Sequence, residues 1–315
     1  MSLTPAPLYT DIHPGPEGGA AYRLQTSDGH AIRIGVWEVQ RARGTVLIFP
    51  GRTEYIEKYG VVASEFAARG LASVAVDWRG QGLADRLLDD SLTGHVEHFN
   101  DYQKDVAALM RAVRTLNLPR PYFLVAHSMG AAIGLRAVME GLGVQAVAFT
   151  GPMWGIRIAP HMRLPARMLS TFMPKFNQGH RIPFGTTALP YVLSAPFNDN
   201  MLTTDAQMYD MMRDQITAHP ALQLGGPSYI WLREALAETA HLAQRSAPNM
   251  PCIAFVGTNE RIVDLPRIHA RMALWKGGHL RVIEGAEHEL LMETEEIRIP
   301  VYDAIAGLFL NTGTS

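Results

Sequence analysis

One serine in this chain stands where a nucleophile would be exposed. Ser128 lies between an apolar run at residues 122–126 and a helical pattern that continues to about residue 140. A serine on a sharp strand-to-helix turn presents its hydroxyl at the sheet edge, and the turn needs small residues two positions before and after it. Ala126 and Gly130 meet that need, and a helix N-terminus favours a developing anion. The pattern predicts a nucleophilic serine; the alternative is a serine that only caps the helix.

A general base for this serine is expected in the loop after the last strand of such a sheet. Three histidines occur late enough in the chain, at positions 269, 279 and 288. His269 falls within a helical pattern, and His279 directly precedes the apolar run 280–283. His288 lies in the loop that follows this run, so we predict it as the general base. The alternative is an ordinary solvent-exposed loop histidine.

The acid that orients the histidine is expected in the loop after the apolar run 252–256. Two carboxylates follow this run, Glu260 after four residues and Asp264 after eight. Asp264 abuts the next helical pattern, where capping the helix is the simpler role. We predict Glu260 as the acid and keep Asp264 as the second choice, since a glutamate can fix the imidazole tautomer and stabilise the imidazolium.

Two backbone amides are expected to bind the oxyanion of an acyl-transfer reaction. One comes from the residue after the nucleophile, Met129, and the other from the loop after the strand at residues 46–49. In that loop Arg52 is the predicted second donor, because Gly51 before it lets the backbone approach closely. No cluster of His, Cys and carboxylate residues has the spacing of a metal site, so we predict no metal. Acyl transfer by a serine needs no cofactor, and we predict none.

Short apolar runs alternate with helical patterns and supply the elements that position these residues. The runs are rich in Val, Ile and Phe, as expected for strands buried on both faces. They lie at residues 46–49, 72–76, 122–126, 146–149, 252–256 and 280–283, after a hairpin over 20–27 and 30–39. The alternation predicts an α/β fold with a mostly parallel, eight-stranded sheet covered by helices on both sides.

About 100 residues separate the runs that end at 149 and begin at 252, far more than one crossover helix needs. We therefore predict a helical insertion over 152–228 in one discontinuous core made of 20–151 and 229–312. The insertion holds eight of the 15 methionines. Their flexible thioethers suit a tunnel for an acyl chain and equally an ordinary helical core.

Composition excludes several classes of protein. Apolar residues make up 47% of the 315 residues and charged residues 18%, which excludes a disordered chain. The net charge of −2 gives no basic field for nucleic acid. The single cysteine, Cys252, excludes an internal disulfide. The first nineteen residues lack the apolar segment of a secretory signal, and no apolar run approaches 18 residues. We therefore expect a cytoplasmic location.

Four motifs in register make the chain similar to a known family. They are 50–59 (PGRTEYIEKY), 77–82 (DWRGQG), 127–130 (HSMG) and 285–288 (GAEH). The set resembles the serine α/β-hydrolases, and within them the lysophospholipase and monoacylglycerol lipase family, over about residues 20–310. Segments 51–55 and 200–205 resemble the bacterial lysophospholipase branch. The family usually has His-Gly where this chain has Pro50-Gly51, and aspartate where it has Glu260.

The resemblance implies an α/β-hydrolase fold with a cap, or lid, over the site, which fits the predicted insertion. We expect a serine ester hydrolase that cleaves single-chain lipid esters, with lysophospholipids ahead of monoacylglycerols. The alternatives are a short-chain carboxylesterase and, outside this class, an inactive α/β-hydrolase that binds a ligand.

Residues 151–183 carry five Lys and Arg and no carboxylate. This charge indicates either a solvated face or contact with a phosphate head group or an anionic membrane surface. A peripheral position at the membrane would follow from the second alternative. The candidate substrate-binding residues are Gly51, His127, Trp154, Arg163 and Arg167.

Overall fold

A single twisted sheet forms the centre of the protein, which is described here by a computed structural model covering residues 3–312. Within these residues the sheet has nine strands, in the spatial order β1-β2-β3-β5-β4-β6-β7-β8-β9. The strands are β1 (Thr4–Ala6), β2 (Ala20–Gln25), β3 (Ala31–Trp37), β4 (Thr45–Phe49), β5 (Ala72–Asp77), β6 (Tyr122–His127), β7 (Val147–Thr150), β8 (Cys252–Gly257) and β9 (Gly278–Ile283).

All eight predicted strands are present, and β1 is an additional ninth. β1 pairs antiparallel with β2 at the sheet edge. It was not predicted because it has three residues, one of them a proline, and shows no apolar alternation. At the opposite edge β9 is half exposed, so it is not the fully buried strand that its apolar residues suggested.

Strand direction divides the sheet into two parts. Strands β1, β2, β3 and β5 pair antiparallel, whereas β4 pairs parallel with both β5 and β6, and β6 to β9 continue parallel. β5 pairs with one side of β4, and β6 pairs with the other side. The strand order therefore reverses at β4. Ligands of open α/β sheets bind at such a switch point, beyond the carboxyl ends of the strands.

Helices cover both faces of the sheet. One face packs on α2, α3, α7 and α8, and the other packs on α1 and α9, each over an apolar cluster of strand side chains. The helices are α1 (Gly60–Ala68), α2 (Tyr102–Thr115), α3 (Ser128–Met139), α4 (Pro160–Phe172), α5 (Tyr191–Ser194), α6 (Ala206–Ala218), α7 (Tyr229–Gln244), α8 (Leu265–Ala273) and α9 (Glu295–Thr312). Across residues 3–312, none of them combines the length and the apolar character that crossing a membrane requires.

Four helices, α4 to α7, lie in the long connection between β7 and β8. Asp205 caps α6 and Ser228 caps α7 through side-chain oxygens that accept backbone hydrogen bonds. Helix α7 packs on α3 and α4. Residue 229, the predicted start of the second core part, is the first residue of α7.

Candidate active site

Ser128 occupies a strained turn between β6 and α3. Its φ is +48°, in the left-handed region that non-glycine residues seldom adopt. The turn also presses α3 against β4: a Cβ at Gly130 would lie 2.1 Å from the carbonyl oxygen of Phe49. Only glycine fits at that position. The strain and the close packing present Ser128 at the carboxyl edge of the sheet, where 9% of its surface is exposed.

Glu260 and His288 meet beyond the ends of the neighbouring strands β8 and β9. The Nδ1 atom of His288 lies 2.6 Å from Oε2 of Glu260. The other carboxylate oxygen accepts from the amides of Ile262, at 2.6 Å, and Val263, at 3.1 Å. Burial raises the pKa of Glu260, but His288 and these amides lower it more strongly, so the net pKa lies below its ordinary value.

Asp264, the second choice for the acid, caps helix α8. Its side chain accepts from the amide of Arg267 at 3.4 Å, and its own amide donates to the carbonyl of Gly155. The structure therefore gives Asp264 the helix-capping position and brings Glu260 to the histidine.

The two predicted oxyanion donors lie on adjacent loops. Phe49 at the end of β4 pairs with Ala126 of β6, which brings the loop after β4 beside the nucleophile. A Cβ at Gly51 would lie 3.1 Å from the Cβ of Ser128. Met129 lies in the first turn of α3, where backbone amides have no acceptor within the helix.

The side chain of Arg52 extends away from its backbone along the site wall. Its Nη1 donates to the carbonyl of Gly225 at 2.6 Å, and the guanidinium lies 5.6 Å from the ring centre of Trp231. Burial lowers the pKa of Arg52 to about 10, which leaves the group positively charged at neutral pH.

A buried cluster of charged residues lies beside the nucleophile, on the wall of the same cavity; its members are Glu54, Lys58, His127 and Glu289. Lys58 Nζ contacts Glu54 and lies 2.7 Å from Oε1 of Glu289. His127 Nε2 lies 3.3 Å from Oε2 of Glu289, and its Nδ1 lies 3.0 Å from the carbonyl oxygen of Thr150. Burial lowers the pKa of His127, but the two carboxylates raise it above its ordinary value.

Three members of this cluster, Glu54, His127 and Glu289, bring potential ligand atoms within 4.8 Å of one another. Sequence spacing did not reveal them, because they come from three separate parts of the chain: the loop after β4, the end of β6 and the loop after β9. The Lys58 ammonium contacts both carboxylates, which neutralises much of their charge and makes them a poor match for a metal ion.

Ser128 and His288 share the wall of one cavity of about 470 Å³. Predicted residues Gly51, Arg52 and His127 also lie on this wall. Most of the remaining wall is apolar, and the residues come chiefly from the long connection between β7 and β8. They include Met153, Ile156, Met162, Met201, Leu202, Met212, Ile216, Leu222, Leu224 and Trp231. The methionines of this segment thus include four that face the cavity.

Three predicted substrate-binding residues lie elsewhere. Trp154 is buried in the core, where its ring stacks on Trp275 with centroids 6.3 Å apart, so the prediction that it contacts substrate is not supported. Arg163 and Arg167 line a second cavity of about 480 Å³ between α4 and α7, together with Arg233 and Arg267. Trp231 lies on the wall of the first cavity, and sequence reasoning missed it. Its place in a helix gave no signal that distinguished it from a core residue.

Three features meet at one edge of the sheet. They are the turn that holds Ser128, the His288–Glu260 pair and the loop after β4 that carries the predicted Arg52 amide. This arrangement on a mostly parallel sheet defines the serine hydrolases of the α/β-hydrolase class. The chain belongs to the Hydrolase_4 family, described as serine aminopeptidase, S33, whose family model matches residues 40–295. The resemblance drawn from the four motifs is confirmed.

Relatives of known name agree with this placement. Lysophospholipase L2 of Escherichia coli strain K12 is 33% identical over 299 residues, which cover 90% of this chain and 85% of that protein. A probable lysophospholipase L2 of Haemophilus influenzae is 28% identical over 85% of this chain and 84% of that protein. A soluble variant of monoglyceride lipase from Saccharomyces cerevisiae has the same fold, with a TM-score of 0.72 at 20% identity, over 98% of this chain and 100% of that one.

Proposed function

We propose that the protein hydrolyses carboxylic esters of single-chain lipids and that lysophospholipids are its preferred substrates. The observation that carries the proposal is the position of Ser128 and His288 on the wall of one apolar cavity of about 470 Å³. This volume lies within the range of roughly 300–1,000 Å³ that small-molecule sites occupy. The lysophospholipases among its relatives support the choice of substrate.

The proposed reaction proceeds by acyl transfer. Ser128 Oγ attacks the ester carbonyl carbon while His288 takes its proton, and the Arg52 and Met129 amides stabilise the resulting oxyanion. His288 then donates this proton to the leaving alcohol, and the acyl group remains on Ser128. Water, deprotonated by His288, attacks the acyl-enzyme and releases the fatty acid. Glu260 holds the imidazole in the tautomer that this sequence needs, and the scheme requires no cofactor.

Residues 152–228 serve as the cap in this proposal, over a core of residues 20–151 and 229–312. The support is the apolar wall that this segment contributes to the cavity, including Met212, Ile216 and Leu222. Such a wall excludes water from the acyl chain and leaves the ester beside Ser128.

Phosphate recognition at the cap is the proposed role of Arg163 and Arg167. Both line the second cavity, between α4 and α7, with Arg233 and Arg267. The wall of this second cavity also contains Ile156 and Ile158, which face the first cavity as well. Apolar side chains are exposed on the same segment, among them Leu164 (66%), Phe176 (71%) and Phe184 (81%). Basic and apolar groups together suit the surface of an anionic membrane. We therefore propose that the protein is cytoplasmic and contacts that membrane peripherally.

Free fatty acid release from C16 lysophosphatidylcholine and from monopalmitoylglycerol tests the proposal, for the wild type and Ser128→Ala. We expect faster release from the lysophospholipid and no release by the variant. Preference for the glycerol ester would identify a monoacylglycerol lipase and leave the arginines as solvated surface. Cleavage of p-nitrophenyl acetate alone would indicate a short-chain esterase.

An aminoacyl arylamide belongs in the same assay, because the family description names an aminopeptidase. Turnover of the arylamide in preference to both lipids would contradict the proposed ester specificity. Absence of turnover with every substrate, together with failure of a fluorophosphonate to label Ser128, would favour an inactive binding protein.

A further inference from the structure

We infer that Gln81 is a positioning residue for the oxyanion hole: its side-chain amide orients the peptide between Gly51 and Arg52 and so directs the Arg52 amide toward Ser128. The inference rests on the proposed function, because it concerns the donor that this reaction needs. Gln81 lies in the loop after β5, is 2% exposed, and is absent from the wall of the substrate cavity as the structure describes it.

Two hydrogen bonds connect Gln81 to the loop after β4. Its Nε2 donates to the carbonyl oxygen of Gly51 at 2.8 Å and to that of Glu54 at 3.2 Å. Both acceptors are carbonyl oxygens, so only the NH₂ side of the amide can meet them. The side chain therefore has one chemically consistent orientation, and it contacts the loop on both sides of the Arg52–Thr53 turn.

The bond to Gly51 determines where the next amide points. The Gly51 carbonyl and the Arg52 N–H belong to one planar trans peptide, in which they point in opposite directions. Across residues 3–312 the structure provides no hydrogen-bond acceptor for the Arg52 N–H. A free backbone donor beside the nucleophile is what an oxyanion hole requires, whereas elsewhere such a group would be costly to bury.

Neighbouring contacts prevent the loop from relaxing out of this geometry. Trp78 Nε1 donates to the carbonyl of Pro50 at 2.9 Å, and the amide of Gly51 donates to the carboxylate of Glu54. Thr53 has a φ of +68°, a strained conformation for a β-branched residue. The hydrogen bonds on either side of Arg52 thus maintain a turn that threonine would not adopt alone.

The test compares Gln81→Met with the wild type, using C16 lysophosphatidylcholine and a palmityl trifluoromethyl ketone that forms a tetrahedral adduct with the serine. Because loss of one oxyanion donor lowers kcat by ~10²–10³, we expect misdirection of this donor to lower it at least ~10-fold, with KM within ~2-fold. The affinity for the ketone should fall by the same factor as kcat.

Gln103→Met is the matched control, since the Gln103 Nε2 also donates to a backbone carbonyl, that of Ile133, at 3.1 Å. It should retain wild-type kcat and ketone affinity. A purely structural role for Gln81 would lower the melting temperature and leave both parameters of the folded enzyme unchanged. Should Gln81→Met not fold, Gln81→Glu keeps the shape of the side chain and replaces the donor by an oxygen; it should lower kcat by at least as much.

Wild-type kcat and ketone affinity in a folded Gln81 variant would overturn the inference. That outcome is distinct from failure of the proposed function, in which the wild type itself would neither hydrolyse the lipid nor bind the ketone at Ser128.

Discussion

The Nδ1 atom of His288 lies 2.6 Å from Oε2 of Glu260, although 27 residues separate the two in the chain. They meet because β8 and β9 are parallel neighbours, so the loops that follow them emerge side by side. The glutamate reaches the imidazole while its other oxygen accepts two backbone amides. These contacts orient the carboxylate despite its longer side chain, so a glutamate can fill the position where the family usually has aspartate.

Glu260→Gln should lower kcat by ~10³–10⁴ without loss of the fold, because the amide oxygen can still accept from Ile262 and Val263 while the NH₂ group favours the wrong imidazole tautomer. Steady-state kinetics on C16 lysophosphatidylcholine measure this. Asp264→Asn is the control: asparagine also caps helices well, so its kcat should match the wild type. The assignment of the acid is wrong if the two variants exchange these results.

The charged cluster beside the nucleophile should make stability depend on pH in two opposite ways. Burial raises the pKa of Glu289, but His127 and Lys58 lower it well below 4.5; its stabilisation is present above pH 4.5 and is lost as pH falls through the lowered pKa. The pKa of His127 is raised above 6.5. Its stabilisation is complete below pH 6.5 and is lost as pH rises through the raised pKa.

The melting temperature of the wild type should therefore fall as pH rises above 6.5. His127→Gln should remove part of this fall. Thermal unfolding between pH 5 and 9 measures the difference, and His30→Gln is the control, because His30 lies in the β2–β3 turn away from the cluster. Identical pH profiles for the wild type and His127→Gln would contradict a charged His127.

Reversal of two cap charges should weaken contact with phosphate. The double variant Arg163→Glu, Arg167→Glu should bind anionic vesicles at least ~10-fold more weakly, since each basic residue near such a surface contributes ~1 kcal/mol. Its KM for the lysophospholipid should rise more than its KM for monopalmitoylglycerol. Arg114→Glu with Arg281→Glu makes the same change of net charge on exposed positions of α2 and β9 and should bind vesicles like the wild type. Equal vesicle binding by both double variants would leave the arginines without this role.

A larger side chain within the apolar cavity should shorten the acyl chain that the enzyme accepts. Ile216 of α6 lines the cavity and is 4% exposed, so Ile216→Trp fills space that a long chain would use. Turnover of a C16 ester should fall at least ~10-fold, since even one methylene in an apolar substrate pocket changes discrimination by ~1–3 kcal/mol, whereas a C4 ester should be cleaved at the wild-type rate. Parallel loss on both esters would show that the cavity does not hold the acyl chain.

Much of the fold follows from local patterns. The central strands are short, apolar and almost uncharged because both faces are buried, and these runs were visible without any long-range information. The positions of Ser128, Glu260 and His288 followed from topology: each comes after a strand whose order in the chain defines its loop. Strand β1 lacked such a pattern, because its three residues pair at an edge and have no need to be apolar.

Tertiary contacts explain what sequence reasoning missed. Glu54, His127 and Glu289 meet only because the end of β6 and the loops after β4 and β9 converge, so no spacing in the chain reveals their cluster. Trp154 and Trp231 are both buried in the apolar cluster on one face of the sheet, yet only Trp231 also lies on the cavity wall. Gln81 belongs to the motif at residues 77–82, but the motif did not predict its role, because that role depends on which carbonyl its amide reaches.

The most direct test of the account is covalent labelling of the nucleophile. A long-chain fluorophosphonate, followed by peptide mass spectrometry, should modify the wild type once, at Ser128, and an excess of C16 lysophosphatidylcholine should prevent the modification. Ser128→Ala should remain unlabelled and should release no fatty acid. Modification at another residue, or fatty acid release that persists in Ser128→Ala, would contradict the assignment of Ser128 and the acyl-transfer scheme built on it.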